Sequence, residues 1–349
     1  MEEIMKQTVL VTGGNGFLGL NIIAQLLTHG YAVRTTLRNL DKQTEVINTL
    51  KQNKITGLDQ LNFVQADLSQ DAGWNDAMQG ITYVLSVASP VFMDIPRHPE
   101  EMDQAAKKGI IRILKAADAA QVTRIVMTAN FGAVGFSNKN KQSITTEADW
   151  TNPDEPGLSP YEKSKLLAEQ AAWQFIKSTN SAMEFTTINP VAILGPSLNQ
   201  HISGSFGIIK GIVTVTGSMK RLPNIALNVI DVRDVADLHI RAMTDPKANG
   251  QRFIASADGQ ISFPEIANLI RRQRPQLAKR ISTKTMPDWL INVAAPFSKQ
   301  AKEAQLLLQM NRHVSNQKAK KFLNWQPANN NEAVILATVD YLAKYSLLD

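Results

Sequence analysis

The stretch Thr8-Val9-Leu10-Val11-Thr12-Gly13-Gly14-Asn15-Gly16-Phe17-Leu18-Gly19 is where the fold is first legible. Its opening residues are apolar or β-branched and are closed by glycine, the pattern of a short buried strand. From Phe17 to His29, apolar residues recur at helical spacing (Leu18, Ile22, Ile23, Leu26, Leu27), and Gly30 ends the run. Strand, glycine turn and helix in that order form a cradle for a dinucleotide pyrophosphate. Gly13 can take a positive φ and begin the turn, Gly16 has no Cβ to hold a phosphate off the backbone, and Gly19 lets the helix lie close to the strand. The unpaired N–H groups at the helix start, those of Phe17 and Leu18 included, then face the phosphates.

The alternation continues outward. Strands are expected at Tyr31 to Leu37, Asn62 to Gln65, Tyr83 to Val87, Arg124 to Thr128 and Glu184 to Ile188, with helices at about 101–120 and from Tyr161 to about Ser178. Strands alternating with helices imply an α/β fold: a Rossmann doubly wound parallel sheet with helices on both faces. The pattern changes after Pro190. Residues 195–228 have weak periodicity, and the last hundred or so are mostly helical with short strands. We therefore expect a dinucleotide-binding domain over 1–194 with a return segment at about 229–245. A smaller, mostly helical substrate domain over 195–349 should pack over the strand ends, where open α/β sheets bind ligands.

Composition narrows the function. The chain has 349 residues, 44 % of them apolar and 19 % charged, which suits a packed protein and not a disordered tail. The net charge of +6 is spread along the sequence; its densest cluster (Arg271, Arg272, Arg274, Lys279, Arg280) reads as a solvated helix face, so no nucleic-acid partner is expected. With no cysteine there is no disulfide framework or thiol nucleophile, and the five histidines show no metal-ligand spacing. No metal is expected. The acidic N-terminus does not read as a signal peptide, and no apolar run reaches the roughly 18 residues of a membrane span, so a cytoplasmic protein without a membrane partner is expected.

The end of the second strand selects the cofactor. An acidic residue there would bind the adenosine 2′-hydroxyl, whereas arginine accepts a 2′-phosphate. The strand Ala32-Val33-Arg34-Thr35-Thr36-Leu37 ends at Arg38, with Lys42 shortly after it and Asp41 between them, where it would start or cap the next helix. NADP(H) is the expected cofactor, with Arg38 stacking on adenine and holding the phosphate. Asp67, followed by Leu68 after the third strand, could bind the adenine amino group or cap a helix. The small residues Ala88-Ser89-Pro90 would leave room for ribose and pyrophosphate.

Tyr161 and Lys165 are four apart on one helix and share a face. A nearby ammonium and an oxidised nicotinamide would both favour the phenolate and lower a pKa that is ordinarily near 10. Tyr161 could then serve as general acid or base, while Lys165 also binds the nicotinamide ribose.

These residues resemble the extended short-chain dehydrogenase/reductase family, in particular its dihydroflavonol-4-reductase-like branch, which includes cinnamoyl-CoA reductases and microbial ketone or aldehyde reductases. The likeness is carried by Val11 to Gly19, Val33 to Arg38, Val87 to Pro90, Tyr161-Glu162-Lys163-Ser164-Lys165, Asn189-Pro190 and Asp231 to Ala236. It implies a catalytic Tyr161 and Lys165, backbone contact of Pro190 and its neighbours up to Ile193 with nicotinamide, and a largely structural segment Asp231 to Val235. One departure stands out. The family's serine after the fifth strand is replaced by Asn130, in Met127-Thr128-Ala129-Asn130-Phe131-Gly132. The Asn130 amide can still donate to a developing alkoxide, and Thr128 is the alternative donor. The competing reading is weak or lost catalysis; the retained Tyr161 and Lys165 favour the first.

The expected activity is hydride transfer from NADPH to the carbonyl of a small ketone or aldehyde, with Tyr161 as proton donor. Val91, Phe92, Phe131, Phe206 and Ile209 are candidates for an apolar substrate pocket, each with plain core as the alternative. Rival readings are an NAD-dependent nucleotide-sugar epimerase or dehydratase, and a dinucleotide-sensing regulator without turnover. A monomer or a homodimer fits equally.

Overall fold

The computed structural model describes residues 7–90, 100–179, 181–213 and 221–348. A seven-stranded parallel sheet runs through it. Six of its strands come in chain order, β1 (Thr8–Val11), β2 (Ala32–Leu37), β3 (Leu61–Gln65), β4 (Tyr83–Ser86), β5 (Arg124–Thr128) and β6 (Glu184–Pro190). The seventh, Arg252–Ala255, pairs with β6 and so draws on residues beyond both 1–194 and the return segment. Across the sheet the order is Arg252–Ala255, β6, β5, β4, β1, β2, β3. The order reverses at β1, which lies between β2 and β4. Open α/β sheets place their ligand cleft at such a switch, at the carboxyl ends of the strands.

Helices α1 (Phe17–Thr28), α2 (Gln43–Gln52), α3 (Trp74–Met78), α4 (Glu100–Ala119) and α5 (Pro160–Ser178) connect the strands. α4 and α5 pack together on one face, and α1 lies against α7 (Val232–Thr244) on the other. The first face is closed by Trp74, Ile110, Ile113, Leu114, Met127 and Phe185. The second face shares one apolar core with the C-terminal region: Leu20, Ile23 and Leu26 of α1 join Val235 and Leu238 of α7, Phe253, Trp325 and Leu342. β5 is buried along its whole length, Arg124 included. The Arg124 guanidinium pairs with Glu184 and donates to the carbonyls of Ala242, Met243 and Asp245, so it closes the C-terminal end of α7, where a cation is favoured.

After β6 come β7 (Ala192–Leu194), parallel to Val229–Asp231, and α6 (Phe206–Val213). Asp231, fully buried, caps α7 by accepting from the Arg233 N–H and pairs with that guanidinium, which accounts for its structural role. No helix among the described residues is long and apolar enough to cross a membrane.

Candidate active site

The glycine turn closes on itself. Gly13 has φ +75° and donates to Thr36 Oγ1 at 3.1 Å; Gly16 N–H returns to Gly13 O at 3.0 Å. A Cβ on Gly19 would lie 2.4 Å from Gly13 O, so the third glycine is demanded by the turn's own carbonyl. Gly16 has open space apart from that same oxygen, at 3.2 Å. Gly14, which sequence reasoning passed over, is the tightest position: its Cβ would lie 2.1 Å from Thr35 Oγ1, a hydroxyl that donates to Val11 O at 2.7 Å. α1 starts without a side-chain cap and without an acidic residue in its first turn. Its first N–H groups are left for a ligand, and a phosphate is the group such an end attracts. Phe17 and Leu18 contribute backbone here, for their side chains are buried in the core.

The neighbouring loops hold this turn in place. Thr12 Oγ1 accepts from the Val87 and Ala88 N–H groups, both at 2.9 Å, and Ala88 faces Gly13, whose Cβ would come within 3.2 Å of it. His201 Nδ1 meets Asn15 O at 2.9 Å. Arg38 is exposed at the end of β2. Its charge contributes to a low Asp67 pKa, although the main cause is the Ser69 N–H. Asp67 Oδ1 accepts from Ser69 N and Oγ, both at 2.8 Å. That is a side-chain-closed turn, not the helix cap weighed from sequence; α3 starts only at Trp74, after Gly73. Asp41 is not the cap either. Asn39 accepts from Asp41 N, and Lys42 pairs with Glu45 at 3.1 Å.

The candidate catalytic residues lie at the carboxyl end of β5. Ser159 caps α5 and Pro160 occupies its first turn, so Tyr161 sits at the positive end of a 19-residue helix. The tyrosine is 48 % exposed. Asn130 Oδ1 accepts from Gly132 N–H, which leaves its amide NH2 free, and Asn130 is near enough to lower the Tyr161 pKa. The phenol pKa is nonetheless raised, first by lost hydration on its packed side and then by Glu162, and the Asn130 bond only partly opposes this. The lowering expected from Lys165 is therefore not what this structure has. The Lys165 ammonium donates to Thr128 O at 3.0 Å, and burial pushes its pKa down to about 8 against the pull of Glu169.

Thr128 has no proton to offer a substrate. His239 Nδ1 lies 2.8 Å from Val235 O and must donate to it, so Nε2 accepts from Thr128 Oγ1 at 2.8 Å. Burial holds that ring at about 4, and it is neutral. Of the two donors weighed from sequence, Asn130 alone keeps an amide N–H to spare. Beneath Lys165 lies a polar cluster that sequence reasoning missed. Glu169, fully buried, pairs with Arg252 at 2.8 Å and accepts from Thr187 Oγ1 (2.9 Å) and Asn189 Nδ2 (2.8 Å). Arg252 also donates to Glu147 O and Asp149 O and stacks on Trp150.

Ala88, Thr128 and Lys165 line one small cavity with Leu68, Ser89 and Pro90, between the end of β4, α4 and α5. Pro190 ends β6 and Ile193 lies in β7, its carbonyl accepting from Ser203 Oγ at 3.0 Å. Phe206 and Ile209 are core, not pocket: both are fully buried, and Phe206 packs edge-on to Phe17 and Tyr341. Phe131 is also buried, against Phe136 and over Gly135. Val91 and Phe92 lie outside the described residues. A groove of about 990 Å³ lies elsewhere and includes none of these residues; it mixes Asp258, Glu265 and Glu332 with Arg271 and Arg272.

A switch-point cleft with a glycine turn on one side and a Tyr-x-x-x-Lys helix on the other defines a dinucleotide-binding protein of the short-chain dehydrogenase/reductase class. The chain belongs to the 3-beta hydroxysteroid dehydrogenase/isomerase family, whose model matches residues 10–263. It is 33 % identical over 255 residues to cinnamoyl-CoA reductase 1 of Arabidopsis thaliana, covering 72 % of this chain and 71 % of that one. It is 30 % identical to a putative NADPH-dependent methylglyoxal reductase of Candida albicans, covering 78 % of this chain and 85 % of the relative. In fold it matches Gre2 of Candida albicans, solved in complex with NADPH, with a TM-score of 0.80 at 24 % identity over 97 % of this chain and 99 % of that one.

Proposed function

We infer that the chain is an NADPH-dependent reductase that converts a ketone or aldehyde to an alcohol, with Tyr161 as proton donor. The observation that carries this is the placement of Tyr161 at the positive start of α5 with the Asn130 amide near it, one turn before Lys165, which lines a small cavity together with Ala88. The relatives named cinnamoyl-CoA reductase and NADPH-dependent methylglyoxal reductase support the same reaction class.

The residues fit the cofactor. The bare start of α1 and the missing Cβ at Gly16 suit its pyrophosphate, Arg38 and Lys42 its 2′-phosphate, and Pro190 to Ile193 its nicotinamide end. Bound NADPH supplies the hydride. A phenol whose pKa is raised is protonated at neutral pH, the form an acid needs in reduction. Tyr161 gives that proton to the carbonyl oxygen. The phenolate left behind is favoured by the Asn130 N–H and by the N-terminal end of α5. Asn130 polarises the carbonyl through its amide N–H, and Lys165, anchored on Thr128 O, binds the ribose.

NADPH oxidation with a panel of ketones and aldehydes tests the reading. Tyr161→Phe should lower kcat by roughly 10²–10⁴-fold and leave the NADPH Kd nearly unchanged; equal rates would remove Tyr161 from the mechanism. NADPH should bind more tightly than NADH, and Arg38→Ala should narrow the gap. A preference for NADH would favour the epimerase reading.

A further inference from the structure

The turn after the helix Lys299–Gln309 holds a charge for which the proposed reaction has no use. Arg312 is only 9 % exposed, and its Nε and Nη2 are buried without a hydrogen-bond partner among the described residues. No carboxylate among those residues pairs with it, and burial alone pushes its pKa down to about 10. The backbone on either side is tied down. Asn311 N–H donates to Asn138 O at 2.7 Å, Asn311 Nδ2 donates to Ser143 O at 2.8 Å, and Arg312 O accepts from Asn228 Nδ2 at 3.1 Å. A second cation stands close by: Lys141, whose Nζ donates to Leu308 O and Met310 O. The Lys141 pKa is lowered by burial and then by Arg312.

A guanidinium does not shed its proton at ordinary pH, and burying one without a counter-charge is costly. An internal water would satisfy its N–H groups but would not neutralise it. Two cations held together on a fixed frame, one of them buried and unpaired, are a receptor for a planar or tetrahedral anion. We propose that Arg312, with Lys141 beside it, binds an oxyanion, a carboxylate or a phosphate. Its tethers tie this site to the loop that follows β5 and to the segment that pairs with β7. Asn138 continues the loop that starts at Asn130 and carries Phe131 and Phe136, and Asn228 O accepts from Ala192 N in β7. The oxyanion is then either an acid group on the carbonyl substrate or a free ion. Only the first of these sources rests on the proposed reductase activity.

Thermal melting tests the site without turnover. With saturating NADP+ present, so that the dinucleotide site is filled, phosphate and succinate are titrated against chloride at equal ionic strength. Either oxyanion should raise the wild-type Tm by about 2 °C or more. Arg312→Met should abolish the rise, and Arg312→Lys should keep part of it. Without oxyanion, Arg312→Met should melt no lower than the wild type, since it removes an uncompensated charge. No oxyanion-specific rise in the wild type, or a full rise in Arg312→Met, overturns the proposal. So does an Arg312→Met protein that melts well below the wild type and is restored by Arg312→Lys, which would mean a counter-charge within the fold. The source follows from rates with succinic semialdehyde and butanal. A preference of about tenfold for the acid that disappears in Arg312→Met assigns the anion to the substrate. Equal use of both aldehydes, with the melting shift intact, assigns a free oxyanion.

Discussion

The two ends of the cleft are built by opposite means. The phosphate turn is local. Gly13, Gly16 and Gly19 lie within seven residues, the bond that closes the turn runs from Gly16 N–H to Gly13 O, and what it requires is the absence of Cβ atoms, although Thr36 and Thr12 brace it from outside. The end around Tyr161 and Lys165 is assembled from far apart in the chain. Lys165 is held by Thr128, 37 positions away; Glu169 by Arg252, 83 positions away; and Thr128 by His239, 111 positions away. What it requires is charge balance and polar satisfaction in a buried place. The local end should therefore lose ligand binding when altered, and the distant end should lose the fold.

The largest effect falls on the distant end. Glu169→Gln keeps the side-chain volume but leaves the buried Arg252 guanidinium without its charge partner, and such breakage typically costs about 3–5 kcal/mol. Urea unfolding should register it as a lowered midpoint at an unchanged slope. The same variant removes the one influence that raises the Lys165 pKa, so the alkaline limit of activity should move below about 8. An unchanged midpoint would mean that the cluster is not what holds this end together.

His239 gives the next effect. The fold holds its ring neutral, with a pKa of about 4 against the ordinary 6.5. Between those values the unfolded chain takes up a proton that the folded chain refuses, so stability falls as pH is lowered through the window. The loss amounts to about 2 kcal/mol between pH 7 and pH 5. Glu162 acts with the opposite sign: burial, followed by the charge of Glu303, raises its carboxyl to about 7, and its protonation favours the fold as pH falls. The wild-type curve alone mixes the two. The difference between wild type and His239→Gln isolates the histidine, and parallel pH curves for the pair would contradict its assigned state.

The same contrast governs what could be read from the sequence. β1 to β6, α1, α4 and α5 are signalled by period, with glycine or proline at several of their ends, all of them short-range cues; the five-residue α3 is not, for its Trp74 is buried although its periodic signal is too short to register. The glycine turn is legible for the same reason. The seventh strand is not, because four residues that include a charged Arg252 look like a surface loop until Glu169 is brought against them. Glu169 itself reads as one more charge on an amphipathic helix. Thr128 and Asn130 look interchangeable as donors when only their spacing is known. His239 separates them, and its approach to β5 is a product of the α7 packing, not of any motif. Phe206 and Ile209 have the composition of a pocket wall, but that composition is also that of a core.

The smallest effect tests the local end. Gly19 lies in the first turn of α1, and an added Cβ would come 2.4 Å from Gly13 O, a backbone atom that cannot swing aside like a side-chain tip. Gly19→Ala must therefore displace either the helix start or the turn. Overpacking of this kind costs about 1–3 kcal/mol, but Ala is a better helix former than Gly and returns roughly 1 kcal/mol. The net change in urea stability should then be the mildest of the three, at most about 2 kcal/mol. The displaced atoms are the N–H groups proposed to hold the pyrophosphate, so NADPH affinity should suffer out of proportion, by about tenfold for each 1.4 kcal/mol of binding lost. Titration of NADPH fluorescence beside urea unfolding reads both quantities on one variant. If the stability loss matches that of Glu169→Gln while NADPH binding holds, the turn is a structural joint and the division between a ligand-built end and a fold-built end is wrong.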